Sequence, residues 1–291
     1  MTENIKIGFI GLGTMGGAIA RCLINKGYSL NVFDQNTEAL AKMTAKGGKG
    51  LSSIAEVLKR SSIIFTSLPT PEVVKAVWTQ NIDEVQTGTL IVDTSTVDPA
   101  TARHLSNQID AKNAQFVAAT VGKTPLHAET GDVPFFIGGE TSAKSKILPI
   151  LSDISSDIFD MGSVEGATIF KLISNLVGMT GLVALAEGYA MANAEGINGE
   201  VFAAALKTTG AWSLQADMRL PDMINESFTT KFAVDLAAKD IRLSIDAAAR
   251  IGVPAPTASA ALAAYLQTSA MGHGTEDASA VLHAIRPFGT E

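Results

Sequence analysis

Ile5-Lys6-Ile7-Gly8-Phe9-Ile10-Gly11-Leu12-Gly13-Thr14-Met15-Gly16 is the stretch that decides how this chain folds. Its first half carries the β-branched, apolar pattern of a buried strand, and a helical pattern begins directly behind the last glycines. A bare G-x-G-x-x-G says little, but between a first strand and a first helix each glycine has a physical task. Gly11 makes the tight turn, Gly13 lets a pyrophosphate approach the backbone, and Gly16 allows helix and strand to pack closely. The helix N-terminus then presents its N–H groups to phosphate. Leu12, Thr14 and Met15 complete this candidate phosphate loop. The next strand pattern, Leu30-Asn31-Val32-Phe33, ends at Asp34, where a carboxylate accepts hydrogen bonds from the adenosine ribose and repels a 2′-phosphate. Gln35, Asn36 and Thr37 follow, with no Arg to receive that phosphate, so the expected cofactor is NAD rather than NADP. Asp34 also suits the cap of the helix beginning near Thr37, and the two roles are compatible.

Further along, β-branched runs at 5–10, 29–33, 62–66, 89–93, 115–119, 134–137 and 156–160 alternate with amphipathic stretches at 15–26, 37–46, 71–78, 98–109 and 141–152. That alternation predicts an α/β fold, a doubly wound Rossmann-type sheet whose strands return through right-handed crossovers. After about residue 163 the strand patterns stop, and alanine- and leucine-rich helical patterns occupy 165–194, 198–209, 232–251 and 256–270. The expected division is an NAD-binding domain over 1–162 and an all-α substrate and oligomerisation domain over 163–291, with the helix at 165–194 bridging them.

Bulk properties narrow the function classes. A chain of 291 residues exceeds the size at which one hydrophobic core stops growing. Lys and Arg number 22 against 29 Asp and Glu, so no global basic field exists to hold a nucleic acid. The single cysteine, Cys22, cannot form an intramolecular disulfide; it reads as a packed helical thiol and suits a reducing compartment. Met1-Thr2-Glu3-Asn4-Ile5 lacks the pattern of a signal peptide, and a cytoplasmic location is expected. Lys171, Asn175 and Glu187 interrupt the most apolar region, leaving an unbroken run too short for a bilayer. Neither membrane nor nucleic acid is an expected partner. So apolar a helical domain is expected to hide surface in a homodimer or homotetramer.

Within the bridging helix Lys171 and Asn175 are spaced i,i+4 and share a face, which Gly178 continues one turn on. An amine and an amide among Ile169, Leu172, Ile173 and Leu176 are costly to bury without partners, so that face is expected to receive a polar group. A snorkelling Lys beside a surface Asn remains the plainer alternative. At these residues the chain resembles the β-hydroxyacid dehydrogenase family, with 3-hydroxyisobutyrate dehydrogenase-like motifs over nearly its whole length. The resemblance rests on Gly11-Leu12-Gly13-Thr14-Met15-Gly16, Leu68-Pro69, Asp93-Thr94-Ser95-Thr96, Lys171-Leu172-Ile173-Ser174-Asn175 and Lys239-Asp240. It implies an NAD-dependent oxidoreductase in which Lys171 is the acid/base and Asn175 orients the substrate. It also implies that Leu68, Pro69, Thr96 and Lys239 lie beside the cofactor, and Ser95, Ser174 and Gly178 beside the substrate. By itself Lys239-Asp240 reads as an exposed helical charge pair. No metal is expected.

The family usually carries Asp-Ala-Pro-Val-Ser-Gly-Gly after the fifth strand, where this chain has Ala118-Ala119-Thr120-Val121-Gly122-Lys123-Thr124. Gly122-Lys123-Thr124 resembles the Gly-Arg-Thr of sulfolactaldehyde reductases. These residues are therefore expected to bind the acidic head of the substrate, sulfonate or carboxylate; a solvated loop Lys is the alternative. Lys is a point charge and discriminates between such anions less than the planar fork of Arg. Ahead of Lys171, Glu165 and Ala167 stand where the family tends to have glycine. His127 and Trp212 lie near the expected pocket without an assigned role. The expected function is interconversion of a small acidic hydroxy compound and its aldehyde. Two rivals are an imine reductase on the same scaffold, against which Lys171 with Asn175 counts, and a non-catalytic dinucleotide-binding module, which needs neither.

Overall fold

In the computed structural model residues 6–286 are described, so residue 5 of the first expected strand lies outside them. β1 (Ile7–Ile10) is buried along its whole length, as a strand covered on both faces must be. There follow α1 (Thr14–Asn25), β2 (Leu30–Phe33), α2 (Thr37–Ala45), β3 (Lys49–Gly50), α3 (Ile54–Arg60), β4 (Ile63–Thr66), α4 (Pro71–Asn81) and β5 (Leu90–Asp93). The pattern continues with α5 (Pro99–Asp110), β6 (Gln115–Val121), α6 (Pro125–Thr130), β7 (Pro134–Gly139), α7 (Thr141–Asp153) and β8 (Asp157–Asp160). Thr70 and Asp98 cap α4 and α5 by accepting backbone N–H groups, and each is followed by a proline at the first helical position.

The eight strands form one sheet in the order β3-β2-β1-β4-β5-β6-β7-β8. Ile7 stands between Leu30 and Ile63, so the winding reverses between β1 and β4, where doubly wound sheets open a ligand crevice at the carboxyl ends of their strands. Leu23, Phe65, Phe135 and Ile147 fill one face of the sheet, and Val57, Trp78, Ile91 and Leu105 the other. Cys22 is buried in the first of these cores, and burial pushes its thiol pKa up.

One topological expectation fails. β7 runs antiparallel to β6, with Val117 opposite Gly139, so that strand does not return by a crossover. An antiparallel neighbour needs no crossover helix, and the short α6 suffices as the connection. β3, α3 and α6 were absent from the pattern because two, seven and six residues are too few to display a period.

The chain divides into two compact units between Lys171 and Leu172. That point lies inside α8 (Val164–Ala194). The second unit continues with α9 (Gly199–Leu206), α10 (Leu214–Asn225), α11 (Val234–Arg250), α12 (Pro256–Thr268) and α13 (Leu282–Ile285), the last preceded by a π turn and a 3-10 turn. Met179, Leu182, Ala186, Leu220, Ile241 and Tyr265 form its core. α10 is not among the expected helices because Pro221 sits inside it and Arg219 occupies a core position, which breaks the apolar period. Arg219 is buried against Asp277 at 2.9 Å, and Asp277 also accepts from the backbone N–H groups of Lys231, Phe232 and Ser279.

The length argument against a bilayer is also corrected: α8 holds an 18-residue window of mean hydropathy 1.7 and by length and composition could cross a membrane. Met179, Leu182 and Ala186 of that helix instead pack in the second unit's core, while Ile173, Val177 and Met191 are exposed.

Candidate active site

The glycine loop closes as its residue types require. Gly11 has φ 92°, and a Cβ there would strike the Ser67 carbonyl oxygen. A Cβ on Gly16 would strike the Gly11 carbonyl oxygen. Gly13 differs: a Cβ would meet nothing within 4 Å, so packing inside the first unit does not require a glycine there. α1 starts at Thr14 with neither a side-chain cap nor an acidic residue in its first turn, leaving its N-terminal dipole to an anion. These features fit a dinucleotide pyrophosphate.

Asp34 sits at the end of β2 and accepts from Leu12 N at 2.6 Å and Asn36 N at 2.7 Å, tying the glycine loop to the second strand. It does not cap α2. That role belongs to Asn36, whose side chain accepts from Glu38 N and Ala39 N. Leu12, Gly13, Thr14 and Asn36 line an open cavity of about 430 Å³ together with Arg21 and Lys42. Both of those cations are paired, Arg21 with Glu129 and Lys42 with Glu38, which weakens their attraction for a 2′-phosphate.

At the carboxyl end of β5, Asp93 is fully buried and accepts from Thr66 Oγ1 at 2.7 Å and Ser95 Oγ at 2.6 Å. Burial pushes its carboxyl pKa up, against these donors. Ser95 Oγ in turn accepts from Leu68 N at 2.9 Å. Ser95 is therefore a buried strut that holds the Leu68-Pro69 loop to β5, which argues against the direct substrate contact expected of it. Thr96, next in the chain, is half-buried.

The loop after β6 is tightly built. Gly122 N donates to Pro134 O at 3.0 Å, and a Cβ on Gly122 would meet Pro134 Cγ at 2.7 Å. Lys123 has φ 60°, the left-handed region that favours glycine, so a lysine there carries backbone strain. Its Nζ lies 2.7 Å from Asp132 Oδ1, and that ammonium holds the Asp132 carboxyl below the usual carboxylate range. Lys123 is thus not a bare solvated cation, and a substrate anion would share its donors with Asp132. Thr124 is buried and bonds through Oγ1 to His127 Nδ1 at 2.7 Å, which accounts for His127 locally.

Lys171 is half-buried on α8, flanked by the fully buried Leu172. Ahead of it, Glu165 pairs with Arg103 and Ala167 is buried. In the second unit Asn175 Nδ2 donates to Asp240 Oδ2 at 2.5 Å, while Lys239 Nζ stands 2.9 Å from Asp240 Oδ1. Asp240 is almost wholly buried on α11, and the next turn of α11 is fixed by Ser244 Oγ donating to Leu172 O at 3.1 Å. Lys239-Asp240 is therefore no exposed charge pair. Asp240 joins two expected site residues, and its place beside Lys239 in the quoted motif was the available signal. Ser174 is exposed, and Gly178 keeps space for the Gln215 amide, which would lie 2.9 Å from a Cβ there. Trp212 packs against the helical core with Lys207 Nζ 5.3 Å from its ring centre, which accounts for it locally.

Comparisons with known proteins agree with this architecture. A family model described as the NAD binding domain of 6-phosphogluconate dehydrogenase matches residues 6–162. A second, described as NAD-binding of NADP-dependent 3-hydroxyisobutyrate dehydrogenase, matches residues 166–285. The chain is 31% identical to 2-(hydroxymethyl)glutarate dehydrogenase of Eubacterium barkeri, over 97% of this chain and 95% of that protein. It is 30% identical to 3-sulfolactaldehyde reductase of Escherichia coli, over 96% and 95% respectively. Mycobacterium tuberculosis 3-hydroxyisobutyrate dehydrogenase with L-serine superposes with a TM-score of 0.88 at 26% identity, over 97% of this chain and 99% of that one.

Proposed function

The chain belongs to the β-hydroxyacid dehydrogenase family, whose members are NAD-dependent oxidoreductases acting on CH–OH groups, and we propose that it interconverts a small acid-bearing primary alcohol and its aldehyde. The observation that carries this reading is the buried Asp240 carboxylate, which orders Asn175 one helical turn beyond Lys171 and neutralises Lys239. A module that only bound dinucleotide would gain nothing from a buried carboxylate serving these two side chains.

When bound, the reduced cofactor supplies the hydride. Lys171 donates its proton to the aldehyde oxygen, and its ammonium stabilises the charge growing there. In the oxidative direction the neutral amine takes the hydroxyl proton. Asn175, oriented by Asp240, holds the substrate oxygen toward Lys171. Asp34 accepts the ribose hydroxyls, and Gly13 with the N-terminus of α1 takes the pyrophosphate. The family resemblance assigns Leu68, Pro69 and Thr96 to the cofactor's flank, Lys239 to its nicotinamide end, and Ser174 and Gly178 to the substrate. Because Asp34 opposes a 2′-phosphate, kcat/KM with NADH should exceed that with NADPH at least about tenfold, on the order of 1.4 kcal/mol. Steady-state rates with both cofactors check this, and equal rates would remove Asp34 as the selector.

Support for an acid group on the substrate comes from chemistry shared by the named relatives. 3-Hydroxyisobutyrate, 2-(hydroxymethyl)glutarate and L-serine each place a CH2OH on the carbon that bears a carboxylate, whereas sulfolactaldehyde carries a sulfonate. Gly122, Lys123 and Thr124 are assigned here to the acid head. The strained φ of Lys123 supports this, because a position that favours glycine keeps a lysine only against a conformational cost. Lys123→Gly should relieve that strain yet lower kcat/KM about 10- to 150-fold for the best acidic substrate, while a neutral aldehyde changes little. Equal and small responses would make Lys123 a partner of Asp132 alone. We further propose a homo-oligomer, supported by the exposed apolar side chains Ile173, Val177 and Met191 on α8, and a cytosolic location, supported by the free, buried Cys22.

A further inference from the structure

Away from α8 and the glycine loop, three side chains near the end of the second unit face one another without a task in the reaction. His273 closes the π turn after α12, Glu276 follows in the next turn, and His283 lies on α13. One ligand atom from each falls within 4.8 Å of the others. The two imidazoles are stacked with ring centres 4.0 Å apart, and the Phe228 ring meets His283 edge-on at 4.8 Å. His273 Nδ1 is 2.9 Å from Glu276 Oε1, whereas Glu276 Oε2 is buried without a hydrogen-bond donor, its His283 Nε2 neighbour standing at 3.8 Å. Together with Glu226 these residues line a cavity of about 380 Å³.

We propose that His273, Glu276 and His283 bind a divalent transition-metal ion, with zinc as the best-matched occupant and water completing a tetrahedral set. Two imidazole nitrogens and one carboxylate oxygen are a borderline donor set, suited to zinc, cobalt or nickel and poorly suited to magnesium or calcium, which require more oxygen ligands. Tetrahedral ligands about 2.1 Å from zinc lie roughly 3.4 Å from one another, so the present spread must contract by little more than 1 Å. Because imidazole lone pairs lie in the ring plane, one ring must turn out of this stack for both to meet an ion, and rotation of the Glu276 side chain then gives its orphaned oxygen a partner. Glu226 is held by Arg286 at 2.6 Å and stays outside the first coordination sphere. The ion would fasten the turn after α12 to α13, acting as a structural clamp remote in sequence from Lys171.

The test is calorimetric titration of untagged, metal-stripped protein with zinc chloride, paired with thermal unfolding. One zinc per chain is expected, with a Kd of about 1 μM or below, and a Tm rise of roughly 5 °C at a hundredfold excess over Kd. Magnesium chloride should produce neither. Glu276→Gln and His283→Gln should each weaken binding at least about tenfold, while His104→Ala, on α5, leaves it unchanged. Cobalt added to the unaltered chain should give visible tetrahedral absorption at one equivalent, a readout that survives if a variant fails to fold. No saturable zinc binding, binding that persists unweakened in both variants, or an octahedral cobalt spectrum would each overturn the proposal.

Discussion

Lys171→Ala is expected to lower kcat by about 10²–10⁴-fold while the Kd for NADH stays within about twofold, the pattern of a group that acts on the reacting oxygen alone. Alanine is the strongest helix former, and Lys171 lies well inside α8, so the substitution should not unwind the helix. What it removes is the proton and the positive charge, which matter most as charge builds on oxygen in the transition state. Lys171→Met supplies a control of similar length: it keeps apolar contact beside Leu172 and should lose activity to the same degree. Single-turnover rates and NADH fluorescence titration measure the two quantities separately. Turnover surviving within about threefold in both variants would make Lys171 a packing residue that snorkels.

The largest expected effect on stability belongs to Arg219→Ala, at about 3–5 kcal/mol, because it strands the buried Asp277 carboxylate. Arg219 and Asp277 are 2% and 0% exposed, so water cannot replace the lost partner. The same pair gives a pH signature. Burial pushes the Asp277 carboxyl up, but the Arg219 guanidinium and the N–H groups of Ser279 and Phe232 outweigh it and hold the carboxyl below its ordinary value. A depressed carboxylate contributes stability in full above its unfolded pKa of about 3.9 and loses it as pH falls through the lower folded value. Removing Arg219 raises the folded value, so the acid-unfolding midpoint should move to higher pH. Urea melts at pH 7 and an acid titration followed by circular dichroism check both parts; an unshifted midpoint would contradict the assignment of Asp277 as the hub.

Much of the architecture was legible because the signals are local. The glycine loop stands between a strand and a helix whose patterns need few residues, and the loss of β-branched runs after 163 marks the change to helices. The antiparallel β7 was not legible, since strand direction depends on how the short α6 connection folds back rather than on the strand's own composition. Among the candidate site residues, Lys171 and Asn175 stand out by their spacing on an apolar helix. Asp240 was marked only by its place beside Lys239 in the motif; its bond to Asn175, 65 residues away, and its burial are tertiary facts. Ser95 illustrates the opposite case: its motif marked it, yet its side-chain oxygen is engaged inward by Asp93 and Leu68. Gly122-Lys123-Thr124 stood out by its resemblance to a Gly-Arg-Thr loop, but the pairing of Lys123 with Asp132 across nine residues was not legible, because it depends on how the loop turns back.

The most direct measurement is an NADH-oxidation assay of the purified chain against methylmalonate semialdehyde, succinic semialdehyde and sulfolactaldehyde, with propanal and a cyclic imine as references. At least one acidic aldehyde should be reduced with a kcat/KM about 10²-fold or more above propanal, equivalent to roughly 2.7 kcal/mol of transition-state recognition of the acid group. The imine should remain unreduced. Reduction of the imine alone, or acidic and neutral aldehydes turned over alike, would contradict the assignment of this chain to small acid-bearing alcohols and aldehydes.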